Sequence, residues 1–148
     1  MLKVKVCGNK FEENATQIAE LKPDFMGFIF YKESKRYCAE ISIETILSLK
    51  RNQVIPVAVF VNEKMERVLE ICSLYQIFHL QLHGTESVEY CKVLKNMGFT
   101  IIKAIPMEND FPSELVEKYL EVSDYLLFDT KTEQFGGSGV KFNHQLLN

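Results

Sequence analysis

Six short apolar runs, rich in β-branched and aromatic residues, punctuate the chain. They are LKVKV (2–6), FMGFIF (25–30), VIPVAVFV (54–61), IFHLQL (77–82), FTIIKAI (99–105) and DYLLF (124–128). Most are continuous rather than alternating, as expected of strands covered on both faces. Between them the apolar positions follow a helical period. In FEENATQIAELK, Phe11, Ala15, Ile18, Ala19 and Leu21 share a face; in NEKMERVLEICSLY, Met65, Val68, Leu69 and Cys72 do so. TESVEYCKVLKNMG repeats the pattern with Val88, Cys91 and Leu94 and ends on Gly98, a favoured residue past a helix C-terminus. SIETILSLK and PSELVEKYLE complete the set, with Pro112 near a helix start, and VKFNHQLL begins a further helix.

Strand starts recur every 22–29 residues with a helix in each gap. That alternation predicts βαβ units, right-handed crossovers and a parallel sheet. The fold class is α/β, and at 148 residues the expectation is one domain over 1–148. Two architectures fit: an open doubly wound sheet, or a (β/α)8 barrel of TIM type with about six of its eight units present. Both place function at the C-terminal ends of the strands.

The residues that follow each run are therefore the candidate chemistry. Cys7 ends the first run; a cysteine there is ordinarily a small buried hydrophobe, although a helix starting near Phe11 favours a thiolate. Gly8 permits an unusual turn and close approach of a ligand. Arg36, in SKRY, reads either as solvated surface or as a bidentate clamp on a carboxylate or phosphate. His83 precedes Gly84 at a strand end, where it could touch a substrate, whereas His79 reads as structural. The two lack a third partner, so no metal site is expected. Asp129 follows YLLF directly; it could cap a helix, but a carboxyl at the mouth of an apolar core also suits a general acid. Gly136, Gly137 and Gly139 could cradle an anion or form a loop that closes over substrate.

Composition narrows the partners. Hydrophobic residues make up 47% and charged residues 25%, the balance of a globular protein, and the net charge of −3 provides no basic face for nucleic acid. The N-terminus MLKVKVCGNK has no apolar signal core, and no run approaches membrane-spanning length. The expectation is a cytoplasmic protein without membrane or nucleic-acid partners, its four cysteines free thiols in a reducing compartment.

In order and spacing, VKVCG (4–8), MGFIFYKESKRY (26–37), VAVFVN (57–62), LQLHGTES (80–87), IIKAI (101–105), and LLFDT with GGSG (126–139) resemble phosphoribosylanthranilate isomerase of tryptophan biosynthesis. The resemblance spans essentially the whole chain and implies a (β/α)8 barrel. It implies an Amadori rearrangement of N-(5′-phosphoribosyl)anthranilate to 1-(2-carboxyphenylamino)-1-deoxyribulose 5-phosphate, with Cys7 as general base and Asp129 as general acid. Arg36 would hold the anthranilate end, and Gly8, His83, Gly136 and Gly137 would line the substrate. No cofactor is implied, because the substrate's own imine is the electron sink. The family has two further strands whose loops bind the phosphate, so a C-terminally truncated barrel is expected, with open edges on the first and sixth strands. Self-association or low stability should follow. Two other readings stand beside this one: another sugar-phosphate isomerase or epimerase on a related barrel, and a non-catalytic binding or assembly module without a phosphate site.

Overall fold

The computed structural model describes residues 2–38, 41–131 and 141–147. Its strands are β1 (Lys5–Cys7), β2 (Phe25–Ile29), β3 (Ile55–Phe60), β4 (His79–Leu82), β5 (Thr100–Met107) and β6 (Tyr125–Thr130). The helices alternate with them: α1 (Glu12–Glu20), α2 (Ile43–Arg51), α3 (Met65–Tyr75), α4 (Val88–Asn96) and α5 (Ser113–Leu120). All neighbouring strands pair in parallel, in the order β1-β2-β3-β4-β5-β6. Sequential order excludes the doubly wound alternative, whose strand order reverses at a switch point. The sheet instead curls in the manner of a barrel wall: Lys3, just before β1, donates from Nζ to Tyr125 Oη of β6 at 3.1 Å. The Phe25 and Tyr125 rings meet edge-on across the concave face.

Because strand side chains alternate, each strand serves two layers. Met26, Phe28, Phe60, Leu80, Leu82, Ile101 and Ile105 face the helices and pack on Ala15, Ile46, Leu49, Val68, Ile71, Cys91 and Leu94. The concave face carries a smaller cluster of Phe25, Val57 and Ile102, flanked by Ile55 and Leu127. The helices end as their sequences dictate: Ser42 and Ser87 accept from Thr45 and Tyr90 N–H as N-caps, and Gly98 takes φ +93° just past α4.

Three expectations need amending. The first strand spans Lys5–Cys7 rather than 2–6, and Leu2 and Val4 before it are exposed. β6 is not buried on both faces; its six residues are exposed or half-buried, as befits a strand that among the described residues pairs only with β5. The tail at His144–Leu147 forms a single 3-10 turn rather than an α-helix. Among the described residues no helix is long and apolar enough to cross a membrane.

Candidate active site

At the C-terminal rim of β1 and β2 the backbone geometry is set by two glycines. Cys7 pairs with Gly27 in the sheet. Immediately afterwards Gly8 takes φ +92°, and the N–H groups of Gly8 and Asn9 both donate to Gly27 O, at 3.1 and 3.3 Å. The buried Asn9 side chain fastens the same turn, donating from Nδ2 to Val6 O and Gly27 O. A Cβ on Gly8 would lie 2.6 Å from Arg36 Cδ, so the absent side chain is what lets Arg36 lie across the turn. There Arg36 Nη1 donates to Cys7 O at 3.3 Å.

Gly27 has a different reason for being glycine. It lies on the concave face, and a Cβ there would fall 2.6 Å from Cys7 Sγ and 3.0 Å from Lys5 Nζ. No positive φ is involved; the position is kept empty by space alone. Cys7 is half-buried, while Cys38, Cys72 and Cys91 are buried and all four are free thiols.

A second group gathers at the rim of β4 and β6. His83 follows β4, and its N–H donates to Phe60 O. Its ring bridges Gln81, whose Nε2 lies 2.6 Å from His83 Nδ1, and Asp129, whose Oδ2 lies 3.1 Å from Nε2. Asp129 Oδ1 also accepts from Thr130 N–H. The His83 side chain is only 14% exposed, and burial pushes its imidazole below the ordinary value while Asp129 pulls the other way. The net direction is downward. Asp129 is less enclosed than the apolar run before it suggested, with its side chain 38% exposed. Gln81 is buried, and its Oε1 has no hydrogen-bond partner among the described residues.

Beneath this rim, on the helix side, a buried ion pair supports the loop. Lys103 Nζ donates to Leu82 O, Gly84 O and Glu86 Oε2 at 3.0, 2.7 and 3.0 Å. Glu86 in turn accepts from the N–H groups of Asn62 and Gly84, and Tyr119 Oη donates to Glu86 O. Both ionic side chains are 2% exposed.

Of the residues singled out in the sequence, Cys7, Gly8 and Arg36 form one cluster and His83 and Asp129 another, both at the strand C-termini on the concave side. Gly136 and Gly137 lie outside the described residues, as does Gly139. His79 sits at the opposite end of β4 against the Phe25 ring, a packing position, as expected. Lys5, Asn9, Gln81 and the Glu86–Lys103 pair went unread. Lysine inside LKVKV and FTIIKAI was the visible signal for two of them, since an ammonium within a strand of a parallel sheet needs a partner. Among the described residues no group of three or more His, Cys, Asp or Glu side chains is arranged to hold a metal ion.

The model of the N-(5'phosphoribosyl)anthranilate (PRA) isomerase family matches residues 4–148. The N-(5'-phosphoribosyl)anthranilate isomerase of Parabacteroides distasonis is 39% identical over 97% of this chain and 66% of its own length. The Thermotoga maritima enzyme of that name is 37% identical over 99% of this chain and 70% of its own. A crystal structure of phosphoribosyl anthranilate isomerase from Thermotoga maritima superposes with a TM-score of 0.77 at 36% identity, covering 99% of this chain and 70% of that one. A further structure of this isomerase, in complex with reduced 1-(o-carboxyphenylamino)-1-deoxyribulose 5-phosphate, gives 0.65 at 32% identity, over 86% of this chain and 75% of that one. The chain therefore spans about two thirds of the length of the relatives it matches. With its barrel-type curl, its strand-end cysteine and aspartate, and a family match over nearly every residue, this chain belongs to the N-(5'-phosphoribosyl)anthranilate isomerase family.

Proposed function

We propose that the chain carries the acid–base half of an Amadori rearrangement, converting N-(5′-phosphoribosyl)anthranilate to 1-(2-carboxyphenylamino)-1-deoxyribulose 5-phosphate. The observation that carries this reading is the gathering of Cys7, Arg36, His83 and Asp129 at the strand C-termini of a family member. Asp129 gives its proton to the ribose ring oxygen, the C1′–O bond breaks, and the nitrogen lone pair closes a C1′=N iminium. Cys7, as thiolate, takes the C2′ proton. The C–H electron pair forms C1′=C2′ and the iminium pair returns to nitrogen, giving an enolamine that tautomerises to the ketone. Arg36 holds the anthranilate carboxylate, and Gly8 keeps the approach clear.

Asp129 touches His83, and the setting of that ring decides which of the two gives the proton. A half-turn of the Gln81 amide places its oxygen toward His83 Nδ1, where 2.6 Å suits N–H···O and is too short for N–H···N. His83 then carries its proton on Nδ1, and its bare Nε2 accepts from protonated Asp129. With the opposite amide setting, Nε2–H donates to the carboxylate instead, the state reached after proton transfer.

The partner is a small sugar phosphate, and the setting that suits it is the cytoplasm, as one barrel domain. The outer edges of β1 and β6, unpaired among the described residues, suit association between copies. The test is the loss of anthranilate-type fluorescence from fresh phosphoribosylanthranilate. It is run with the chain alone and with a two-unit C-terminal βα fragment of the Thermotoga maritima relative added. Turnover in either mixture that vanishes in Cys7→Ala and Asp129→Asn is expected. Turnover that survives Cys7→Ala would overturn the assignment, and none in either mixture would favour a non-catalytic module.

A further inference from the structure

We propose that Lys5 is the positioning residue that keeps Cys7 a thiolate, its ammonium bordering the same space beside Gly27 that the sulfur borders. The inference rests on Cys7 being the base, but it concerns a lysine to which the acid–base assignment gives no part.

Lys5 and Cys7 are two apart on β1, so both side chains stand on the concave face. Lys5 Nζ and Cys7 Sγ both lie within 3.0 Å of the point that a Gly27 Cβ would occupy, so both border the same small space. A void bounded by a cation and a thiol favours the charged sulfur over the neutral one. The other groups facing this spot are few. Arg36 lies above it, with Nη1 turned to the Cys7 carbonyl oxygen, while His83 and Asp129 face the same interior from β4 and β6 and are bonded to each other. Lys3, the next lysine along, is turned to Tyr125 at the other end of the strand. Among the described residues no carboxylate pairs with Lys5, whereas Lys103, on the helix side of the sheet, is engaged with Glu86. The arrangement also explains why glycine, with no conformational need for it, interrupts FMGFIF.

The test reads the thiol itself and needs no turnover. Iodoacetamide alkylation of Cys7 is followed against pH, with the site read by peptide mass spectrometry. The buried thiols are inert competitors, pushed up by burial to about 11 for Cys38, about 12 for Cys72 and about 11 for Cys91. In Lys5→Met the alkylation profile should move about one unit to higher pH, slowing the reaction at neutral pH about tenfold. Lys5→Arg should restore most of the rate, because it returns the charge. A Lys5→Met profile that superimposes on the parent overturns the proposal, as does a larger shift in Arg36→Met than in Lys5→Met. Should Lys5→Met lose its fold, the buried cysteines would react as well; Lys5→Gln, neutral and of similar reach, then replaces it. Since these rates do not depend on catalysis, the proposal fails or stands separately from the isomerase reading.

Discussion

At the scale of single residues, the proposed site sets each reactive group beside a polar neighbour. For Asp129 that neighbour is His83, and His83 is itself set by Gln81. The expected consequence is visible without any reaction. In nitrogen-15 NMR the parent's His83 should show the Nδ1–H tautomer, and Gln81→Leu should shift it toward Nε2–H, since nothing then accepts from Nδ1. A parent already in the Nε2–H form would remove Gln81 from the proton's control. Cys7, Gly8 and Asp129 were legible because each interrupts or ends an apolar run at a strand C-terminus. Gln81 and Lys5 were not, because their partners lie on other strands or across a void that only the register defines. Gly27 is the clearest case: in FMGFIF it looks like a weakness of the strand, and its use appears only when Cys7 is set beside it.

At the scale of elements, the loop after β4 owes its shape to a buried charge. Lys103 stands on the helix side of β5 with Ile101 and Ile105, and without Glu86 it would be an ammonium in an apolar layer. The pair organises the backbone from Leu82 to Glu86, which carries His83 between its ends. Lys103→Met should therefore cost about 3–5 kcal/mol, because it strands a buried carboxylate rather than merely deleting a bond. Adding Glu86→Gln should recover part of the loss, since an amide oxygen still accepts from Asn62 and Gly84 N–H without carrying charge. Urea unfolding of parent, single and double variants measures this. A single variant within about 0.5 kcal/mol of the parent would mean the pair is not structural. The lysine was conspicuous in IIKAI, yet sequence cannot show which carboxylate crosses 17 residues to meet it.

At the scale of the whole molecule, six parallel strands and their helices were legible because each repeat carries its own signals: a β-branched run, a 3.6-residue period and a cap. What the pattern could not give was how enclosed the concave face is. That face shelters two histidines, His79 at the lower end of β4 and His83 at the rim, and burial lowers the imidazole value of both. The groups around them partly cancel: Asp124 raises and Lys3 lowers His79, while Asp129 and Glu86 raise and Lys103 lowers His83. The net direction fixes the sign of the pH dependence. Below the unfolded value of about 6.5, the unfolded chain takes up protons that the folded chain refuses, so acid favours unfolding. Stability should be level near neutrality and fall as pH drops through 6.5. Glu12, held low by its bond to Ser42, loses its contribution only as pH falls below 4.5. Thermal melts at pH 7.5 and 5.5 should therefore show a drop in Tm that His83→Gln reduces and His79→Gln with His83→Gln nearly removes. The same drop in the double variant would place the acid sensitivity elsewhere in the fold. A rise in parent Tm toward pH 5.5 would mean that Asp129 wins over burial and that His83 is charged, which would take from Asp129 the acceptor that holds its proton.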